Sequence, residues 1–268
     1  MIRIIHTLGG CGGTLLSRCI GVLPGVALLS EINPASVKLF PEFDPLCQDR
    51  KWFQLLDPAE ADQFSTIDLG IARNFQELIE VFHTRAVAAS RHLVLRDYSY
   101  VNFIGVPFIP DPPCRLILRT ALPNAISTAS VAFIRHPVDQ WVSLSKHAEV
   151  KAVLTPAIFC DAYAAFLREL GAEQVYKYED FVQNPHGVLR AICHDLALPF
   201  DPSFIHRFHR FNWVTGDMTR HGDQSISAPV RMNLPTAVIA QFDASKSFEY
   251  VLRATSYARP VMVQYPTW

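Results

Sequence analysis

Residues 2 to 18 read Ile2-Arg3-Ile4-Ile5-His6-Thr7-Leu8-Gly9-Gly10-Cys11-Gly12-Gly13-Thr14-Leu15-Leu16-Ser17-Arg18: an apolar run, a glycine cluster, and a segment with helical spacing. Strand, tight turn and helix in that order make a phosphate cradle. Glycine takes up positive φ without a Cβ penalty and lets the backbone approach a ligand closely, while the amides at the partially positive helix N-terminus point at an anion. Taken alone, the segment is equally a flexible turn between a strand and a helix, so the rest of the chain has to decide.

Outward from this stretch the pattern alternates. Val26-Ala27-Leu28-Leu29 follows the turn Leu23-Pro24-Gly25 and reads as a second strand ending at Ser30-Glu31, which completes a βαβ unit. Residues 34 to 65 are rich in Pro, Asp and Phe with weak periodicity, as in an irregular lid or short helices over a pocket. Phe75, Leu78, Ile79, Phe82, Ala86 and Ala89 recur at helical spacing and predict an amphipathic helix over 74–90. Strands are predicted at 92–96, 115–118, 131–135 and 174–178, and helices at 137–147, 156–170 and 185–196. Short apolar runs alternating with helices imply an α/β fold: a three-layer, P-loop-like sandwich with a mostly parallel central sheet flanked by helices. At 268 residues one domain is expected, with residues 200 to 268 closing over the ligand.

Composition narrows the function. Lys+Arg 24 nearly balances Asp+Glu 25, and only 18% of residues are charged, so the basic surplus typical of nucleic-acid or anionic-membrane binding is missing and any anion site is local. Six scattered cysteines form no CxxC pair or Cys/His ligand spacing, which predicts reduced thiols, no metal and a cytoplasmic location. No stretch has the length and purity of a transmembrane helix.

The second cluster is Val131-Ala132-Phe133-Ile134-Arg135-His136-Pro137-Val138-Asp139-Gln140-Trp141-Val142-Ser143, again strand, turn and helix. Pro137 suits the first helical position, which puts Arg135 at the strand end and Ser143 about two turns on. A planar guanidinium fork and a hydroxyl so arranged can grip one phosphate. The alternative is that Arg135 pairs with Asp139 and Ser143 is an ordinary helix-surface residue.

Together the two clusters resemble the cytosolic and Golgi sulfotransferase superfamily, which transfers a sulfuryl group from 3′-phosphoadenosine 5′-phosphosulfate. By that resemblance, Gly9, Gly10, Cys11, Gly12, Gly13, Thr14 and Leu15 hold the 5′-phosphosulfate, and Arg135 with Ser143 holds the 3′-phosphate. Tyr178-Glu179-Asp180-Phe181 followed by Asn184-Pro185 is similar to a strand-to-helix passage of the family. Leu23-Pro24-Gly25-Val26 with Ser30-Glu31 resembles the tyrosylprotein sulfotransferases and related bacterial enzymes, and implies Glu31 as catalytic base. A carboxylate at a strand's carboxyl end, beside the loop, is well placed to take the proton of a small-molecule or peptide hydroxyl acceptor.

The chain departs from the family at Gly10, where a basic residue is usual. Arg96 of Leu95-Arg96-Asp97 resembles a Lys-Asp pair of the tyrosylprotein enzymes and is the expected substitute cation; Arg18 is the other candidate, otherwise a snorkelling surface arginine. Arg220 and Gly222 lie in a polar stretch similar to the family's C-terminal nucleotide loop. Phe40, Phe43, Trp52 and Phe53 either line an acceptor pocket or simply pack. Two rivals stay open: a non-catalytic nucleotide-binding relic, and a P-loop kinase, although Gly13 stands where a Walker motif needs Lys.

Overall fold

The computed structural model describes residues 1–216, 225–227 and 234–259. Five strands form one sheet: β1 (Ile2–Thr7), β2 (Val26–Ile32), β3 (His92–Tyr98), β4 (Thr128–Ile134) and β5 (Gln174–Lys177). Their order is β2-β3-β1-β4-β5, and every pairing is parallel. Because the chain leaves β1 toward the β2 side and later crosses to β4 on its other side, the loop after β1 sits at the point where the winding reverses. Open α/β sheets bind ligands at the carboxyl ends of the strands there.

Period-two alternation divides the strand side chains between two layers. On one face Ile2, Ile4, Ala27, Leu29, Leu93 and Leu95 meet Phe75, Leu78, Ile79, Phe82 and Ala86 of α2 (Ala72–Ala88). Ala132 and Ile134 on β4 share a second cluster on Phe159, Tyr163 and Phe166 of α4 (Pro156–Leu170). The opposite face carries Ile5, Leu28, Val94, Val131 and Phe133 against α1 (Gly13–Gly21) and α6 (Pro185–Asp195). Each fully buried Val, Leu, Ile or Phe among them contributes about 1.5–3 kcal/mol of burial free energy, which is what holds the sheet between its layers. Arg3 is buried on this face too, but its guanidinium caps the chain after α6 by donating to the carbonyls of Leu196 (2.9 Å) and Ala197 (3.2 Å).

The remaining site helices are α3 (Pro137–Leu144) and α5 (Tyr178–Gln183); α7 (Thr236–Asp243) and α8 (Lys246–Thr255) pack on α4. Two sequence expectations need correction. No strand forms at 115–118: the run enters a short helix, Ile117–Thr120, because Leu118 is drawn into the cluster beneath α2 and needs no place in the sheet. The predicted 137–147 helix ends at Leu144 and is followed by a separate turn, Ala148–Lys151. Residues 34 to 65 hold short helical pieces, among them Pro41–Phe43, Pro45–Gln48 and the capped Pro58–Ser65. Among the described residues no helix is long and apolar enough to cross a membrane.

Candidate functional site

The glycine cluster forms the floor of a cavity of about 1420 Å³ at the carboxyl end of the sheet. Gly9 (φ +80°), Gly10 (φ +66°) and Gly12 (φ +91°) are all left-handed, and Gly12 starts α1. At Gly12 a Cβ would stand 2.4 Å from the Tyr178 ring, so no other residue fits without moving it. At Gly10 a Cβ would meet the Gln140 carbonyl and Leu144 Cγ, both at 3.0 Å, because α3 lies directly on the loop. Gln140 Nε2 also donates to the Gly9 carbonyl at 2.6 Å, tying the loop to α3. Cys11 is buried beneath the turn, and that burial pushes its thiol up to about 11, so it is neutral at physiological pH.

Glu31 lies in a register shift between Ser30 and Ile32, with φ +59°. A residue other than glycine in this region costs on the order of 1–3 kcal/mol and persists only where its surroundings impose it. The surroundings are a polar network on the far side of β3. Asp97 Oδ2 accepts from Ser99 Oγ (2.7 Å) and pairs with His6 Nδ1 (2.9 Å), while Asp97 Oδ1 accepts from Asn33 Nδ2 (3.0 Å), which also bonds Asn102 Oδ1 (2.6 Å). All five side chains are buried, and Asn33 fixes the turn that follows Glu31. The single adjacent acidic residue in Leu95-Arg96-Asp97 hinted at this: consecutive strand residues face opposite sides, so Arg96 points to the cavity and Asp97 away from it.

Arg96 Nη2 stands 3.5 Å from Glu31 Oε1, and both side chains are nearly inaccessible. Glu31 Oε2 and Arg96 Nε are buried with no hydrogen-bond partner among the described residues. A Cβ at Gly13 would stand 2.9 Å from Arg96 Nη1, so the guanidinium rests on the loop itself. Arg18, in contrast, is not on the surface: it is buried, donates to the carbonyls of His209 and Phe211, and anchors the segment that runs along α1. The same cavity bears Arg18 on its wall, but these carbonyls engage its guanidinium.

At the other end, Arg135 caps β4 and Ser143 lies on the cavity-facing side of α3. The Arg135 guanidinium lies over the Tyr178 ring at 4.8 Å and reaches the Gly10 carbonyl at 3.5 Å, with Nε unpartnered among the described residues. Tyr178 carries no signal of its own in the sequence beyond the strand-to-helix passage around it, yet in the fold it supports both Gly12 and Arg135. The neighbouring Glu179 accepts from the His136 amide (2.9 Å) and from the Tyr257 hydroxyl (2.7 Å), which pins the turn carrying Arg135.

Gly9, Gly10, Cys11, Gly12, Gly13, Thr14, Leu15, Glu31, Arg96, Arg135 and Ser143 therefore all border one cavity. Arg220 and Gly222 lie outside the described residues. The wall beyond Glu31 is aromatic: of the four side chains for which the sequence leaves lining and packing both open, Phe40, Phe43 and Trp52 line it and Phe53 turns into the core. Tyr98, Tyr100 and Phe108 complete the wall. Phe40 packs on Phe43 at 4.9 Å and on Phe108 at 4.8 Å, and Tyr98 stacks on Tyr100 at 5.5 Å. Among the described residues no cluster of His, Cys, Asp and Glu is arranged to hold a metal ion.

Two solved structures share this architecture. The sulfotransferase domain from the curacin biosynthetic pathway matches with TM-score 0.64 at 17% identity, over 97% of this chain and 98% of that one. The sulfotransferase domain from the Synechococcus PCC 7002 olefin synthase matches with TM-score 0.59 at 17% identity, over 97% and 95%. No family model and no curated protein sequence matches the chain. The likeness is therefore one of fold, and the fold is that of sulfotransferase domains.

Proposed function

We propose that this chain is a sulfotransferase that moves a sulfuryl group from 3′-phosphoadenosine 5′-phosphosulfate to a hydroxyl acceptor. One observation carries the reading: a carboxylate and a guanidinium, 3.5 Å apart, face a glycine cradle whose far side bears a second arginine and a serine, all in one cavity. The residues fit the co-substrate at both ends. The left-handed Gly9, Gly10 and Gly12 curl the loop into the cavity floor, Arg96 Nε and Arg135 Nε are buried donors without a partner among the described residues, and Glu31 Oε2 is a buried acceptor in the same state.

When bound, the phosphosulfate supplies the sulfuryl group: the acceptor oxygen forms a bond to sulfur as the bond to the bridging oxygen breaks. Glu31 takes the proton that the acceptor hydroxyl gives up. Arg96 donates N–H toward the oxygen that gains charge, the role the family gives to the loop cation absent at Gly10; such a preorganised donor is worth about 2.7–4 kcal/mol. Thr14 and the first amides of α1 add donors at the same end. Arg135 and Ser143 hold the 3′-phosphate, and the aromatic wall excludes water from the acceptor side.

The test is binding followed by turnover. 3′-Phosphoadenosine 5′-phosphate is expected to raise the melting temperature without magnesium, since a ligand bound only by the native state stabilises it. Radiolabelled sulfate is then followed from the phosphosulfate to 4-nitrophenol, a tyrosine peptide and an aliphatic alcohol. Nucleotide binding with no transfer to any acceptor or to water would make the chain a binding relic; stabilisation by ATP with magnesium alone would make it a kinase.

A further inference from the structure

We infer that Thr215, locked to Ser30 of β2, is a positioning residue that holds the Arg96 guanidinium on the loop. This rests on the functional reading above. Ser30 and Arg96 are register partners on neighbouring parallel strands, so their side chains emerge on the same face. Thr215 bridges them. Its amide donates to Ser30 Oγ at 2.7 Å, its Oγ1 lies 2.8 Å from Ser30 Oγ and donates to the Ser30 carbonyl at 3.2 Å, and its own carbonyl accepts from Arg96 Nη2 at 3.0 Å. Thr14 Oγ1 donates to the same carbonyl at 3.4 Å. Ser30 and Thr215 are both buried, so these bonds are made away from competing water.

The bridge orients Arg96 without neutralising it. A guanidinium has five N–H donors, and a carbonyl takes one of them while leaving the charge in place. Nη1 stays against the loop, 3.4 Å from Thr14 Oγ1, and Nε has no partner among the described residues. Arginine loses more rotamer freedom than most residues when fixed, so an anchored carbonyl that restrains it beforehand leaves less to be lost in the reaction. The next residue has to be glycine for this to work. Gly216 is left-handed (φ +98°), and a Cβ there would stand 2.5 Å from Thr14 Oγ1 and 3.1 Å from Glu31 Oε1.

The experiment replaces Thr215 with Val, which keeps the branched shape and exchanges the hydroxyl for a methyl, and Ser30 with Ala, which removes the other half of the clasp. Transfer from the phosphosulfate to 4-nitrophenol and to water is measured for both, alone and combined with Arg96→Lys. Each single variant is expected to lower kcat by about tenfold while the KM for the phosphosulfate changes less than about threefold. Thr215→Ser is expected to restore the rate, and neither change is expected to alter kcat further by more than about twofold in the Arg96→Lys background. Unchanged kcat, or an equal loss in both backgrounds, overturns the inference. Melting temperatures of the same set give a cycle that needs no turnover. If the wild-type chain transfers no sulfuryl group, the functional reading fails, and additivity in that cycle then overturns the Thr215–Arg96 coupling while non-additivity supports it.

Discussion

The two ends of the cavity are built differently. Around Glu31 and Arg96 the charged groups are almost wholly buried, paired with each other, held by Thr215, and braced from behind by the Asp97 network. Around Arg135 and Ser143 the side chains are only half-buried, and the guanidinium rests on one ring and one long hydrogen bond. The difference suits the two tasks that the proposed transfer would set. Moving a proton and stabilising a developing charge need fixed groups in a dry site, where their fields are least screened, whereas gripping a permanent phosphate charge needs only a cation in the right direction.

Substitutions at the two ends should therefore separate rate from affinity. The largest effect is expected from Glu31→Gln, which keeps shape but cannot take a proton: turnover should fall by about 10²–10⁴-fold with nucleotide affinity near that of the wild type. Isothermal titration beside the transfer assay reads both, and retained turnover would remove Glu31 as the base. Between the ends, Gly12→Ala combines a left-handed backbone with a clash on Tyr178, so a loss of at least about 1–3 kcal/mol in unfolding free energy is expected by chemical denaturation. An unchanged midpoint would mean that the loop and Tyr178 adjust freely.

Arg135→Ala should weaken 3′-phosphoadenosine 5′-phosphate by about tenfold, yet leave adenosine 5′-phosphate nearly unaffected, as a charge-assisted bond worth about 1.5–3 kcal/mol is lost only where the 3′-phosphate exists. Equal weakening of both nucleotides would show that Arg135 does not read that phosphate. The smallest effect concerns the thiols. Cys47 and Cys114 are exposed, whereas Cys11, Cys19, Cys160 and Cys193 are buried, with burial raising Cys11 to about 11 and Cys160 and Cys193 to about 12. Cys114 should react quickly with a maleimide in the native protein, Cys47 more slowly because partial burial and the Asp44 carboxylate beside it hold its thiol above the usual range, and the other four only on unfolding. Fast labelling of Cys11 would mean that the loop opens at the reacting end, against the comparison drawn above.

Much of this was legible in the chain. The strand-glycine-helix order at Ile2–Gly21 and the Pro137 start of α3 are local signals, set by φ preferences and capping over a few residues, and they put the glycine cluster, Arg135 and Ser143 where the fold has them. The 115–118 run shows the limit, since an apolar stretch that short suits a strand or a buried turn equally until its neighbours choose. The supports of the site were invisible for a similar reason. Thr215 meets Ser30 across 185 residues, Asn33 meets Asp97 across 64, and Tyr178 meets Gly12 and Arg135 only once β5 has docked beside β4.

By itself the sequence determined the α/β class, the glycine-rich turn between β1 and α1 and the residue types around it, because these follow from periodicity and from the backbone freedom of single residues. Tertiary structure alone decided that the Arg96 guanidinium rests on the loop while Arg18 donates to the carbonyls of His209 and Phe211, that α3 closes over Gly10, and that Glu31 is held in a left-handed turn. Each of these depends on which strands become neighbours and in what register, and register is fixed by the packing of the whole sheet between its helices.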